Sequence, residues 1–259
     1  MGKIKTGKAA GADEVPPELW KILSSSQDAM TALLLLMNQC WREKTIPSEW
    51  RTAKITTIFK KGDDALPSNY RPISLLCLGY KVLAMLLLQR LKCEGCEKQP
   101  SATQYGFRSG RSTREPTMLL QALISEAVAS RGGSLSVVLL DWEKAFDKLS
   151  PAGLIKALKL FGIPTDMVAT IQGIYLERNF VVEDSFGNSG LHSQKSGIAQ
   201  GCPLSPYLFI IALSVVTATA REDMLKHNLL SREGDVQDVT YANDAALASG
   251  RTRSQRKST

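Results

Sequence analysis

An almost wholly apolar run at residues 135–140 (LSVVLL) sets the strongest constraint on how this chain folds. Its length and its Val137-Val138 pair favour a β-strand that is buried on both faces. Asp141 follows directly. The pattern therefore predicts a carboxylate at the end of a buried strand.

The rest of the chain alternates between helical and strand patterns. Apolar residues at helical spacing predict helices over residues 16–44, 73–92, 113–131, 151–161 and 203–225. β-branched alternation predicts a strand over Thr52–Phe59, with a turn at residues 60–63. Residues 238–249 predict a β-hairpin with Ala242, Asn243 and Asp244 at its tip. This mixture predicts one continuous unit of the α+β class.

Composition bounds the class of protein and the kind of partner. With 44% hydrophobic and 22% charged residues over 259 positions, the chain can bury a sizeable core. Its net charge of +7 favours a polyanionic partner without identifying one. Because no apolar run is long enough for a membrane span, we expect no membrane segment and an intracellular protein, nuclear or cytoplasmic.

The five cysteines do not form a recognisable metal or disulfide framework. Only Cys93 and Cys96 have C-x-x-C spacing, and neither His192 nor His227 is close to them in sequence. Disulfide frameworks belong to short secreted chains, so we expect reduced thiols here.

Two aspartates follow predicted strands and suggest chemistry. Asp141 ends the apolar run and Asp244 lies at the hairpin tip, so two strand ends can bring their carboxylates together. Mg²⁺ prefers hard oxygen ligands and usually binds one or two carboxylates plus substrate phosphates. The residues therefore predict a phosphoryl-transfer site, or alternatively two aspartates that only cap turns.

Six segments, in order along the chain, resemble the conserved blocks of reverse transcriptases from non-LTR retrotransposons. They are residues 8–17 (KAAGADEVPP), 69–76 (NYRPISLL), 104–113 (QYGFRSGRST), 140–147 (LDWEKAFD), 200–209 (QGCPLSPYLF) and 241–244 (YAND). Each segment alone is a weak signal, but the ordered set is very specific.

The resemblance implies a right-hand polymerase fold of fingers and palm. Residues 1–130 would be mainly fingers and residues 131–259 mainly palm, with some interleaving. Because the chain ends shortly after Asp244, we expect the thumb to be missing. The implied activity is RNA-directed DNA synthesis by two-metal nucleotidyl transfer, with two Mg²⁺ ions, an RNA template, a DNA primer and deoxynucleoside triphosphates.

The resemblance also implies the catalytic, metal-binding residues. Asp141 matches the first metal-binding carboxylate, and Asn243 and Asp244 occupy the positions of the hairpin carboxylates. Asp147 also matches the block, with a structural role in orienting the turn. We expect Asp141, Asn243 and Asp244 to lie together at the ends of adjacent strands.

A second set of matched residues is implied to bind the nucleotide. Arg71 would approach the phosphates, Phe146 would crowd the sugar 2′-position, and Gln200 and Gly201 would line the site. We expect Arg71, Phe146 and Gln200 to face one cleft. Phe146 as an ordinary core aromatic is the open alternative. Lys60 or Lys61 assists the phosphates or is a solvated turn lysine.

Three arginines in and after the third block are candidates for template binding. Arg108, Arg111 and Arg114 can follow template phosphates, contacts that position nucleic acid without reading its sequence. The alternative is an ordinary charged loop.

The hairpin departs from the family pattern of aromatic-Ala-Asp-Asp. The chain has Tyr241-Ala242-Asn243-Asp244, so an amide stands where a principal metal-binding carboxylate is expected. An amide oxygen can coordinate Mg²⁺ but brings no negative charge. We therefore expect impaired activity, and a non-catalytic nucleic-acid-binding remnant of such an enzyme is the alternative function.

Overall fold

A computed structural model describes residues 5–93, 103–131, 133–184, 187–228 and 237–251 of the chain. The helices are α1 (Pro17–Leu23), α2 (Gln27–Glu43), α3 (Leu78–Cys93), α4 (Arg114–Ala129), α5 (Ala145–Lys148), α6 (Pro151–Leu160), α7 (Thr165–Tyr175) and α8 (Ser205–Lys226). The strands are β1 (Thr52–Phe59), β2 (Tyr70–Leu75), β3 (Ser134–Asp141), β4 (Asn179–Asp184), β5 (Gly187–Asn188), β6 (His192–Ser193), β7 (Gln237–Tyr241) and β8 (Asp244–Arg251).

The chain forms two compact units, each assembled from two separate stretches. The first unit comprises Met1–Glu94 and Phe146–Ser205, and the second comprises Gly95–Ala145 and Pro206–Thr259. The division into mainly fingers (1–130) and mainly palm (131–259) stays a prediction. Among the described helices, none is both long enough and apolar enough to span a membrane.

The first unit contains a sheet in which β1 lies between β2 and β4. β1 pairs antiparallel with β2 and parallel with β4, and the short strands β5 and β6 both pair antiparallel with β4. Helices α3, α6 and α7 supply most of this unit's core through fully buried residues such as Leu87, Leu158 and Ile171.

The helix predicted over residues 16–44 is broken between α1 and α2. The Ser24 and Ser25 hydroxyls donate to backbone carbonyls of α1, each at 2.7 Å. Ser26 then caps α2, accepting from the Ala29 N–H at 3.3 Å. Serine side chains that hydrogen-bond locally compete with the helical ladder, which explains why the helix stops and restarts here.

The helix predicted over residues 73–92 begins too early. Residues 73–75 belong to β2, and α3 begins only at Leu78. Pro72 lies within β2, opposite Thr57 of β1, and an edge strand tolerates proline because its outer N–H groups need no partner. The apolar spacing alone could not reveal the pairing with β1.

The second unit contains an antiparallel sheet in the order β3-β8-β7. The strand predicted over residues 135–140 is present, but the prediction that both of its faces are buried is wrong, since Val138 and Leu139 are 54% and 74% exposed. β3 lies at the edge of this sheet and pairs with β8. Burial on both faces is typical of parallel sheets covered by helices, whereas antiparallel sheets can expose a face.

Most of the other predicted helices and strands are present, with small differences in where they begin. The strand Thr52–Phe59 and the hairpin are confirmed, and α4 and α6 lie within their predicted ranges. α8 begins at Ser205 rather than at Pro203, with Pro206 in its first turn. α7 and β4–β6 were not predicted. Cys40, Cys77, Cys93 and Cys202 are free thiols, while Cys96 lies outside the described residues.

Candidate functional site

Asp141 and Asp244 face each other across β3 and β8. The β3–β8 register pairs Asp141 with Asp244, and the β7–β8 register pairs Asp244 with Tyr241. Directly opposed residues of an antiparallel pair project to the same face, with Cβ atoms about 4.5–5.5 Å apart. Both aspartates are exposed. The second unit therefore presents two solvent-accessible carboxylates side by side.

The turn between β7 and β8 consists of Ala242 and Asn243. Ala242 is buried, 8% exposed, and has a φ of +56°, whereas Asn243 is half-buried. Asn243 immediately precedes Asp244, so Asp141, Asn243 and Asp244 lie together at one end of the second sheet. Their catalytic and metal-binding roles stay predictions.

The oxygen atoms of Asp141, Asn243 and Asp244 are suitable ligands for a hard divalent cation, but they carry less negative charge than three carboxylates. Two carboxylates and one amide oxygen are ligand types that Mg²⁺ accepts. In the described part of the chain, no group of three or more His, Cys, Asp or Glu side chains could hold a metal ion. Asn243 stands where a third carboxylate was expected. Its amide oxygen carries no charge, so the three donors together have one negative charge fewer than three carboxylates would have.

The turn is held by Gln104, a residue that the sequence-based predictions missed. Its side chain is only 2% exposed. Gln104 Oε1 accepts from the N–H of Ala242 at 3.1 Å and from the N–H of Gly106 at 2.8 Å, and Nε2 donates to the Ala242 carbonyl at 3.3 Å. The only signal in the sequence was the place of Gln104 at the start of the matched segment 104–113, since nothing local shows that its side chain is buried.

The three candidate template arginines differ in their surroundings. Arg108 Nη1 donates to the Gln104 carbonyl at 3.1 Å. Arg111 pairs with Glu115 at 3.3 Å and lies 5.3 Å from the ring centroid of Tyr105. Arg114 is exposed at the start of α4. Arg108 and Arg111 are thus partly occupied within their own segment, and template binding by all three stays a prediction.

In the first unit, the segment containing Gln200 and Gly201 is fixed between β2 and α5. Gln200 Nε2 donates to Asp147 Oδ1 at 3.0 Å, and the Gln200 carbonyl accepts from the Ser74 N–H at 2.9 Å. Gly201 has a φ of +129°, and a Cβ placed on it would lie 2.5 Å from the Ser74 carbonyl oxygen. Glycine is therefore required at this position by both backbone conformation and space.

Arg71 and Phe146 lie on the two elements that flank this segment. Arg71 is exposed on β2, three residues before Ser74. Phe146 is half-buried, and its carbonyl accepts from the Ile198 N–H at 2.8 Å. Backbone contacts therefore link the 197–201 segment to both elements. Whether Arg71, Phe146 and Gln200 bind one nucleotide stays a prediction.

A buried arginine lies behind this segment. Arg178 is 2% exposed, and its Nη1 donates to the Tyr80 hydroxyl at 3.4 Å, which in turn contacts Cys202 Sγ at 3.2 Å. Burial raises the pKa of Tyr80 well above its ordinary value, so Tyr80 stays neutral and cannot offset the positive charge. Within the described residues, Nε and Nη2 of Arg178 have no hydrogen-bond partner.

The sequence matches a family model and several transposon proteins. Residues 58–258 match the model described as reverse transcriptase (RNA-dependent DNA polymerase). The chain is 32% identical to the probable RNA-directed DNA polymerase from transposon BS of Drosophila melanogaster, over 93% of this chain and 26% of that protein. It is 32% identical to the Pol polyprotein of the type-1 retrotransposable element R2 of Popillia japonica, over 63% of this chain and 23% of that protein.

Solved structures show a likeness of fold. Telomerase from Candida tropicalis, solved with a fragment of telomeric RNA, superposes with a TM-score of 0.55 at 14% identity, over 94% of this chain and 41% of that chain. Apo telomerase from Candida tropicalis also superposes with a TM-score of 0.55, at 13% identity, over 98% of this chain and 48% of that chain. The predicted α+β fold of polymerase fingers and palm is thereby confirmed. The chain spans about a quarter of the two transposon proteins or less.

Proposed function

We propose a function from one premise: the chain belongs to the reverse transcriptase (RNA-dependent DNA polymerase) family, of the non-LTR retrotransposon type. The function is RNA-directed DNA synthesis by two-metal nucleotidyl transfer, impaired at Asn243. The observation that carries it is the cross-strand pair of Asp141 and Asp244 beside the turn that contains Asn243. A polymerase of this kind would act inside the cell, in the nucleus or the cytoplasm.

The metal-binding part of the proposal concerns the second unit. Asp141 and Asp244 would hold Mg²⁺ through their carboxylates, and Asn243 would add an amide oxygen. When bound, Mg²⁺ supplies the positive charge that activates the attacking hydroxyl and neutralises charge on the phosphates. Because phosphoryl transfer depends mainly on positioning and electrostatics, the charge missing at Asn243 weakens the site without abolishing its shape.

The nucleotide-binding part concerns the first unit. Arg71 would pair with the triphosphate through its planar, permanently charged guanidinium, a geometry suited to phosphate oxygens. Gly201 would line the site with its backbone, which the absence of a Cβ allows to pack against the Ser74 carbonyl oxygen of β2. The half-buried ring of Phe146 would restrict the sugar 2′-position. Because the Gln200 amide donates to Asp147, Asp147 would orient Gln200 rather than act on the substrate.

The nucleic-acid part concerns the basic segment before α4. Arg108, Arg111 and Arg114 would contact phosphates of the RNA template or the DNA primer, consistent with the chain's net charge of +7. Since Arg111 also pairs with Glu115, its contribution should be smaller than that of an unpaired arginine.

A second candidate function is a nucleic-acid-binding remnant that performs no chemistry. Asn243 is the specific observation that favours it, because loss of one preorganised electrostatic group can lower a rate by about 10²–10³-fold.

Primer extension on an RNA template, run beside a binding measurement on the same primer–template duplex, tests the proposal. We expect salt-dependent binding and weak Mg²⁺-dependent extension that Asp141→Asn abolishes. The matched control is Asp64→Asn, which changes an exposed aspartate in the loop between β1 and β2. It should leave extension unchanged. Binding without any extension would support the remnant, and absence of binding would contradict both functions.

A further inference from the structure

The side-chain amide of Gln104 pairs with the peptide groups of Ala242 as a neighbouring strand would. Its oxygen accepts from the Ala242 N–H and its nitrogen donates to the Ala242 carbonyl. Its oxygen also accepts from the Gly106 N–H, so each polar atom of the amide has a partner although the side chain is 2% exposed. A buried, fully paired amide fixes the groups it contacts because breaking any one bond leaves a buried polar group unsatisfied.

The residue that Gln104 holds has an unfavourable backbone conformation. Ala242 has a φ of +56°, a left-handed conformation that glycine adopts readily and alanine does not. Two-residue hairpin turns favour glycine, asparagine or aspartate where φ is positive. Such residues persist when surrounding contacts determine their conformation, and they cluster at functional sites.

The segment around Gln104 packs tightly against the same turn. A Cβ on Gly106 would lie 2.1 Å from the Ala242 nitrogen, so only glycine fits there. The Tyr105 N–H donates to the Thr240 carbonyl at 2.8 Å, and the Thr240 N–H donates to the Thr103 carbonyl at 2.9 Å. The 103–106 segment is therefore attached to β7 by backbone bonds, and Gln104 extends that attachment to the turn.

We propose that Gln104 is a positioning residue for the metal-binding turn, an inference that rests on the proposed function. The peptide of Ala242 directly precedes Asn243, so fixing that peptide fixes where residues 243 and 244 stand relative to Asp141. Gln104 does not touch substrate or metal in this role. It holds the strained turn in the conformation that presents the donors.

Hydrogen exchange of individual backbone amides in the full chain tests whether Gln104 holds the turn. Gln104→Met keeps the length of the side chain and removes its hydrogen bonds. We expect the Ala242 and Gly106 amides to exchange about tenfold faster or more, with no change at β1 amides such as Ile55. Gln194→Met is the matched control, because Gln194 Nε2 donates to the Ser196 and Gly197 carbonyls in the first unit. It should leave the Ala242 amide unchanged.

Mn²⁺ affinity, followed by the electron paramagnetic resonance of the free ion, tests the link to metal binding. Measurements in the Asn243→Asp background compare the addition of Gln104→Met with the addition of Asp141→Asn. Because residues that orient metal ligands typically contribute 10–100-fold to affinity, we expect Gln104→Met to weaken Mn²⁺ binding about tenfold. Binding of the primer–template duplex should not change.

The outcomes separate the two proposals. If Asp141→Asn leaves Mn²⁺ affinity unchanged, the proposed metal site is wrong, and the exchange result alone still decides whether Gln104 holds the turn. If Asp141→Asn weakens binding and Gln104→Met does not, the positioning role is overturned. Faster exchange throughout the chain would also overturn it. Should Gln104→Met fail to fold, Gln104→Asn replaces it, since the neutral amide is one methylene shorter and cannot make all three hydrogen bonds of Gln104.

Discussion

Gln200 Nε2 donates a hydrogen bond to Asp147 Oδ1 at 3.0 Å, joining the loop before α8 to α5. The same loop residue accepts from Ser74 of β2 through its carbonyl. Side chain and backbone of Gln200 are thus held from two directions, so the segment is fixed before any ligand arrives. Such preorganisation is what the nucleotide site proposed for this loop would require.

Asp147→Ala should lower the free energy of unfolding by about 1–2 kcal/mol, because it leaves the half-buried amide of Gln200 without its acceptor. Asp147→Asn keeps an oxygen acceptor and should cost less than half of that. Urea denaturation measures both, with Asp64→Ala as an exposed control. Equal losses for the alanine variants at 147 and 64 would show that the Asp147–Gln200 bond does not stabilise the loop.

Gly201→Ala should destabilise the protein more than Gly187→Ala. The two glycines have nearly the same φ, +129° and +128°. A Cβ on Gly201 would lie 2.5 Å from the Ser74 carbonyl oxygen, whereas no atom of the described residues lies within 4 Å of a Cβ on Gly187. The backbone cost is therefore matched, and the difference of about 1–3 kcal/mol reports the steric contact. Thermal or urea denaturation measures the free energy of unfolding of both variants. Equal losses for the two variants would contradict the close packing of Gly201 on β2.

Arg178→Met should leave the free energy of unfolding unchanged or raise it by up to about 2 kcal/mol. Arg178 is a buried cation beside two neutral tyrosines, and removing a costly buried charge is often neutral or stabilising. Arg178→Lys keeps the charge, is more strongly hydrated and loses the planar contact with the rings, so it should destabilise. A larger loss for methionine than for lysine would mean that the buried charge itself stabilises the first unit.

Sequence patterns predicted the fold well where structure is local. β1 was predicted from its β-branched alternation, and the hairpin was predicted from its polar tip. The break between α1 and α2 depends on serine hydroxyls that can either face solvent or bond the backbone, and periodicity does not distinguish these. The helical pattern over residues 73–92 includes the last three residues of β2, because the pairing of β2 with β1 is invisible to a local pattern. The exposure of β3 depends on what packs against the two faces of the sheet, which a local pattern does not encode.

In the candidate site, too, some features could be predicted from the sequence, whereas those that depend on long-range contacts could not. The family resemblance predicted that Asp141 would lie beside the hairpin, whereas the residues alone showed only that two strand ends can bring carboxylates together. Gln104 was within a matched segment but had no predicted role, since its function depends on contacts with a residue 138 positions away. Long-range contacts of buried polar side chains are beyond single-sequence reasoning.

Asn243→Asp tests the central claim most directly. The comparison uses the chain and its Asn243→Asp variant, each at a concentration that gives equal binding of the primer–template duplex. Asn243→Asp nearly preserves shape and adds one negative charge to the set of Asp141 and Asp244. We predict Mg²⁺-dependent primer extension on an RNA template about 10²–10³-fold faster than with Asn243. Equal extension by the two chains, at equal duplex binding, would contradict the claim that Asn243 limits catalysis.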